Sequence, residues 1–266
     1  MKVSIVIPTL GRDTLYPLIK KLLIQKVNFD YEIILVPQVK LKEKLLDNKK
    51  IKIFYEDLGK GFSYYRNVGI KNSSGQILAF IDDDELPMDN NWLSHLVSPI
   101  SSKKEDATTA GVKIKLGEDY ITDSISLLGF PGGGAIGFET MWDVNKKNYT
   151  EHLCSGNFAI KKDIIKKVGS FDNSLKSGSE DVNLADKLVQ NKIKLLYVDK
   201  ATVYHVSRKG FLNFIKWNYL RGKSAAEYMK TKKNEGKVGN RLKSSKKILK
   251  KTLKTKYFIG VLFMMF

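Results

Sequence analysis

The chain opens with hydrophobic residues in two alternating periods. Val3 to Ile7 is a near-continuous apolar run of strand length, closed by the turn Pro8-Thr9-Leu10-Gly11-Arg12. Leu15, Leu18, Ile19, Leu22 and Leu23 then recur at the spacing of one helix face. Tyr31 to Val36 and Ile51 to Tyr55 predict a second and a third strand, Tyr64 to Ile70 a helix, and Gln76 to Ile81 a fourth strand. Strands separated by helical patterns predict a parallel sheet with helices on its faces.

After Pro87 the pattern is less regular. Asn90 to Val97 reads as a helix, and Ala107 to Lys115 and Tyr120 to Leu128 read as strands. Pro131-Gly132-Gly133-Gly134 predicts a flexible loop without regular structure. Leu153 to Ile160 predicts a strand, followed by a lysine-rich helix to Val168. Glu180 to Gln190 predicts a helix with Leu184, Leu188 and Val189 as its apolar face, and Ile193 to Val198 and Thr202 to Val206 two further strands. This half mixes parallel and antiparallel elements, and the whole reads as one α/β domain.

Composition adds three constraints. With 266 residues, 42% of them hydrophobic, the chain can bury a proper core. Its single cysteine, Cys154, rules out an internal disulfide and fits a reducing compartment. A strand follows Met1 at once, so no cleavable leader is expected, and no apolar run reaches membrane-spanning length.

Charge is unevenly spread. Of the net +18, residues 230–266 carry +11, with twelve Lys or Arg and one acid, Glu235. From Lys246 on, Ile248, Leu249, Leu253, Tyr257, Val261 and Met264 fall on one helical face, with lysines opposite. That pattern predicts an amphipathic helix lying on anionic lipid, the alternatives being a helix packed on the domain or a dimer contact. Tyr257 to Phe266 is nearly all apolar but too short to span a bilayer. The basic stretch Lys230 to Lys256 has no interleaved aromatics, which argues against nucleic acid as its partner.

The densest chemistry lies at the end of the fourth strand, where Asp82-Asp83-Asp84-Glu85 places four carboxylates in a row before Pro87. Adjacent carboxylates repel and need a cation to hold them. A hard divalent metal bridging to a nucleotide's phosphates is the usual solution, and strand ends of open α/β sheets are where ligands bind. On an extended backbone Asp82 and Asp84 would face one side together. A solvated acidic turn leading into the helix near Asn90 is the competing reading.

Five motifs occur in one order: Val3-Ser-Ile-Val-Ile-Pro-Thr9, Tyr65-Arg66-Asn67-Val68-Gly69, Phe80-Ile-Asp-Asp-Asp84, Gly169-Ser-Phe-Asp172 and Gly178-Ser-Glu-Asp181. In order and spacing they resemble those of family 2 glycosyltransferases, inverting nucleotide-sugar-dependent enzymes of the GT-A fold, over residues 2 to 210. The resemblance implies a Rossmann-like, mostly parallel central sheet flanked by helices, with the C-terminal amphipathic tail appended. Residues 1–100 would form the nucleotide-binding half, 101–229 the acceptor-binding half, and 230–266 the membrane-associating tail.

It further implies a nucleoside diphosphate sugar donor, a glycan or lipid-linked hydroxyl acceptor, and Mn2+ or Mg2+. Asp82 and Asp84 would be the metal-binding pair, Asp84 the more direct ligand, with His205 facing the metal. Pro8, Thr9, Arg12, Gln38, Arg66, Asp82 and Asp83 would surround the nucleotide sugar. Where the family usually carries a base-reading aspartate after the second strand, this chain has Pro37-Gln38, which leaves the base open. Gly156, Asn157, Trp142 and Arg208 would meet the acceptor, and Asp181, beside Glu180, would be the general base. The implied location is cytoplasmic, peripheral on the membrane's cytoplasmic face. A sugar nucleotidyltransferase is the rival enzyme, but Pro8 to Arg12 is a poor match to its glycine-rich, basic phosphate loop. A nucleic-acid-binding protein using the basic tail is the rival from another class.

Overall fold

The computed structural model describes residues 1–41, 47–129, 132–176, 178–207, 209–231 and 237–265. The expected parallel core is built from β1 (Lys2–Thr9), which pairs in parallel with β2 (Asp30–Pro37) and, through Val3–Val6, with β4 (Ile77–Ile81). The short β3 (Ile51–Ile53) extends β2. Val3, Ile5 and Ile7 pack with Leu15, Leu18, Ile19 and Leu22 of α1 (Leu15–Leu23), while Val6 and Ile34 share the opposite cluster with Tyr65 and Ile70 of α2 (Phe62–Asn72). These strands are buried on both faces, which is why their apolar residues run on without alternation.

β5 (Glu85–Pro87) and α3 (Trp92–Ser101) follow. The strand expected over Ala107 to Lys115 divides into β6 (Ala107–Thr109) and β7 (Val112–Lys113), which belong to different sheets. Next come α4 (Tyr120–Ser126), α5 (Phe138–Met141), β8 (Tyr149–Thr150), β9 (Asn157–Lys161), α6 (Lys162–Lys167) and α7 (Glu180–Gln190). β10 (Leu195–Tyr197), β11 (Val203–His205), α8 (Phe211–Thr231), α9 (Lys237–Thr252) and α10 (Phe258–Met265) complete the chain. β9 enters antiparallel between β4 and β6, giving a large sheet of order β3-β2-β1-β4-β9-β6-β10-β8. A second, small sheet has the order β5-β11-β7.

Three expectations fail here for local reasons. Tyr120 to Leu128 contains a helix, because the Asp119 carboxylate caps it by accepting from the Ile121 and Thr122 amides at 2.9 Å each. Ile121, Ile125 and Leu128 also satisfy helical spacing, so the apolar pattern was compatible with both readings. The glycine run is not a loose loop: Gly132, Gly133 and Gly134 are buried, the Val112 amide donates to the Gly132 carbonyl (2.6 Å), and Gly134–Ile136 forms a 3-10 turn. The tail is not one continuous helix either. It breaks between α9 and α10, and Ile248 and Val261 are buried against Leu127 and Ile136 of the domain, while Leu253 is exposed.

The two sheets are joined through Asn157. Its Oδ1 accepts from Trp92 Nε1 (3.0 Å), and its Nδ2 donates to the carbonyls of Gly111 and Ala201 (2.9 Å each). The side chain is wholly buried, so the acceptor contact expected of Asn157 gives way to a structural role. Asn157→Ala strips the Trp92 Nε1–H and the Ala201 carbonyl of this partner in the interior, at roughly 1–3 kcal/mol each if no water enters, while the Gly111 carbonyl keeps the Val203 amide. We expect about 2 kcal/mol or more of lost stability in urea unfolding, and a loss under about 1 kcal/mol would show that the junction does not depend on this side chain.

Candidate active site

β4 delivers its four carboxyl groups into a turn, not an extended strand: the Glu85 amide donates to the Asp82 carbonyl at 3.1 Å. Alternate residues therefore do not share a side, and each acid finds its own partner. The Asp83 carboxylate is buried and accepts from Thr9 Oγ1 (2.7 Å), the Leu10 amide (3.0 Å) and Arg12 Nη1 (2.6 Å). It ties the first turn of the chain to the acidic one. Arg12 Nη1 also reaches Asp84 Oδ2 at 2.9 Å. Asp82 Oδ1 accepts from Arg66 Nη2 at 2.7 Å. Glu85 is buried, its Oε2 accepting from the Asp82 amide (3.2 Å), and burial, reinforced by Asp82 and Asp84, pushes its carboxyl well above the usual range.

Arg66 joins this turn to α7. Its guanidinium, wholly buried, donates from Nη1 to Glu180 Oε1 at 3.0 Å while holding Asp82 from Nη2. Burial disfavours its charge, yet Asp82 and Glu180 outweigh that and raise its pKa above the ordinary arginine value. Burial pushes Glu180 up in turn, opposed by Arg66. Asp181, one residue on, is only half-buried, and it lines the same cleft. Ser179 enters α7 with φ +64°, and Gly178 with φ +130°, a value strained for any residue bearing a Cβ. Ser179 Oγ lies 2.9 Å from Ser224 Oγ of α8.

The small sheet supplies His205. β11 runs antiparallel to β5 with His205 opposite Glu85, and the Val206 amide donates to the Asp84 carbonyl (3.3 Å). His205 Nδ1 donates to the Val206 carbonyl at 2.5 Å, which leaves Nε2 facing Asp84 Oδ1 at 3.4 Å. In the neutral imidazole that is a lone pair aimed at a carboxylate, an arrangement that a cation between them relieves. Among the described residues no three His, Cys, Asp or Glu side chains are grouped to hold a metal by themselves. Arg66 engages Asp82 Oδ1, while Asp84 Oδ1 and His205 Nε2 face each other as the set that could hold a cation. That set fits an ion such as Mg2+, which is commonly held by one or two protein ligands and completed by substrate phosphates.

Around these groups lies a cleft of about 460 Å³. Pro8, Arg12, Arg66, the acidic turn, Asp181 and His205 all line it. Gly156 lines it too, and a Cβ there would sit 2.7 Å from Asp82 Oδ2 and Glu85 Oε1, so the glycine lets β9 close under the carboxylates. Thr9 does not line the cleft, and its buried hydroxyl is engaged by Asp83. Gln38 sits beside the turn, half-buried, its backbone N–H donating to the Thr9 carbonyl (3.0 Å), and it does not line the cleft. Trp142, expected at the acceptor, stacks on His152 with centroids 3.5 Å apart, also outside the cleft lining. Arg208 lies outside the described residues. The sequence reading missed one whole wall: Trp217, Leu220, Arg221 and Ser224 of α8 face the cleft. No motif marks them, and only their helical spacing hints at a shared face.

The pattern of glycosyl transferase family 2 matches residues 4–169. Glycosyltransferase AglE of Haloferax volcanii is 28% identical over 181 residues, covering 65% of this chain and 53% of that protein. The O-antigen biosynthesis protein RfbC of Myxococcus xanthus is 24% identical over 227 residues, covering 77% of this chain and 17% of that one. The chain thus spans about half the length of the first relative and about a sixth of the second. Among solved structures, mannosyltransferase PcManGT from Pyrobaculum calidifontis, in complex with GDP-Man and Mn2+, is similar with a TM-score of 0.63 at 12% identity, covering 99% of this chain and 78% of that one. GalNAc-T7, solved with UDP, GalNAc and Mn2+, is similar with a TM-score of 0.61 at 19% identity, covering 83% and 47%. These likenesses show a shared fold, the α/β GT-A architecture. The family pattern spans more than half of the sequence, and the chain belongs to glycosyl transferase family 2.

Proposed function

We propose that this protein transfers a sugar, with inversion, from a nucleoside diphosphate sugar to a hydroxyl of a glycan or lipid-linked acceptor. One observation carries the reading: within a single cleft, a cation-seeking pair, Asp84 and His205, shares the space with a half-buried carboxylate, Asp181, at the start of α7. Leaving-group and base functions are thereby both provided for. A nucleotidyltransferase would need a basic phosphate loop after β1, and here Arg12 is already engaged by Asp83 and Asp84.

Asp84 and His205 would hold Mn2+ or Mg2+, and the ion when bound would neutralise negative charge growing on the departing diphosphate. Pro8 and Arg12 border the end of the cleft formed by β1, suited to the nucleotide. Arg66 holds Asp82 and Glu180 in fixed positions, so the acidic turn and α7 keep one spacing. The choice between the two acids of α7 follows from their contacts. Glu180 is buried, accepts from Arg66, and has Ser155 Oγ at 3.4 Å, which leaves it poorly placed to take a proton. Asp181 faces the cleft and would accept the proton of the attacking hydroxyl. The PcManGT and GalNAc-T7 complexes named above, each containing Mn2+, support the metal and the donor class.

A panel of nucleotide sugars assayed for metal-dependent release of nucleoside diphosphate tests the whole reading, and no release from any donor would sink it. Asp181→Asn should bind donor and metal normally yet transfer sugar on the order of 10²–10⁴ times more slowly. Near-normal turnover at saturating donor and acceptor would remove Asp181 from the role. Asp84→Asn and His205→Ala should each abolish the gain in donor affinity that Mn2+ confers, read by calorimetry with and without metal. An undiminished gain in both variants would place the ion elsewhere.

A further inference from the structure

The apolar surface at the C-terminus is composite. α10 lies along α4, fixed by Tyr257 Oη donating to Asp123 Oδ2 (2.7 Å) and by the Gly260 amide donating to Tyr120 Oη (3.0 Å). The first residue of α8 joins them, with the Phe211 and Phe263 rings 5.7 Å apart. Tyr120, Ile121, Phe211, Ile259, Phe263 and Met264 line a groove of about 390 Å³ between the three helices. Around it the large side chains face solvent: Leu212 is 79% exposed, Ile259 75% and Phe263 66%. Ile215, one helical turn after Phe211, continues the exposed face along α8. Exposed apolar residues contributed by three separate elements mark an interaction site.

The charge beside this patch says what covers it. Lys254 and Lys256 stand exposed in the turn that leads into α10, within a segment, residues 237–265, of nine Lys or Arg and no acid, of which Lys247 pairs with Asp143 and Lys251 donates to the Ile136 carbonyl. At the patch's other border, Glu118 is paired with Lys209 at 2.7 Å. A second copy of the chain docking here would bring two lysine-rich segments together, which like-charge repulsion opposes. An anionic surface reverses that sign. We infer that the patch of α4, α8 and α10 is a docking surface for an anionic phospholipid bilayer, with Leu212, Ile259 and Phe263 entering the acyl boundary and Lys254 and Lys256 meeting headgroup phosphates. This differs from a lysine-faced tail helix lying flat on the membrane, because Ile248 and Val261 are buried inward. α8 runs from this patch to the cleft wall, so docking would set the cleft beside the lipid surface. That consequence alone rests on the proposed sugar transfer.

Sedimentation of the full chain with phosphatidylcholine vesicles, with and without phosphatidylglycerol, tests the docking at low salt and without donor. The protein should bind only the phosphatidylglycerol vesicles, and the binding should weaken as salt rises. Ile259→Glu with Phe263→Glu alters two exposed side chains and should lower the affinity about a hundredfold, with unchanged thermal stability. Lys254→Ala with Lys256→Ala should lower it about tenfold. Wild-type protein that ignores the anionic vesicles, or a double glutamate variant that binds them as tightly, would overturn the inference. A wild-type dimer that this variant dissociates, without vesicle binding, would assign the patch to a second copy and equally overturn it. Vesicle binding is read independently of turnover, so failure of sugar transfer leaves this result interpretable.

Discussion

Four carboxyl groups in one turn at the end of a buried strand cannot stand together without partners, and the site is organised by how each is answered. Asp83 takes Arg12 and the first turn, Asp82 takes Arg66, and Glu85 is driven toward its neutral form by burial. Asp84 is left between Arg12 and His205 at the cleft. Each answer recruits a different stretch of chain: the end of β1, the middle of α2, and β11. Like-charge repulsion within the turn is thus converted into long-range structure. Arg66 carries this furthest, because its other nitrogen fixes Glu180 and with it the start of α7. A buried guanidinium shared by two carboxylates is weak evidence of stability, since desolvation offsets much of the attraction. Its value here is positional, setting how far the acidic turn stands from the helix that bears Asp181.

The same interactions explain why the first half of the chain was legible and parts of the second were not. β1, β2 and β4 are buried on both faces, so their apolar runs carry the signal of a parallel sheet directly. α1 shows clean helical spacing, and α7 begins and ends where the pattern places it, although of its expected apolar face Leu184 and Leu188 are buried and Val189 is exposed. β6 and β7 are short pieces of one apolar stretch divided between two sheets, a division set by Asn157 and its backbone partners at Gly111 and Ala201. No property of residues 107–115 announces those partners. Tyr120 to Leu128 was ambiguous in period, and a single capping aspartate decided for helix.

At the site, residue types were readable and their directions were not. The acids, Arg66 and His205 line one cleft, but the shared side expected of Asp82 and Asp84 presumed an extended backbone, and the turn at Asp82–Glu85 removes it. Gly156 and Asn157 are adjacent, yet one borders the cleft and the other is consumed by the sheet junction. Successive residues on a strand point to opposite sides, so a motif locates both without saying which is available. Glu85 shows the converse. It read as one more acid in a cluster, whereas its burial beneath Asp82 makes it part of the floor.

α8 shows how far a site can extend beyond its motifs. One surface of the helix closes the cleft through Trp217, Leu220, Arg221 and Ser224. Its fastening to the catalytic side runs through Ser224 to Ser179 and through Tyr228, whose hydroxyl donates to Asp186 of α7. Its first turn, by contrast, meets α10 through Phe211. The helix is therefore held at one end by the segment bearing Asp181 and at the other by the C-terminal helices.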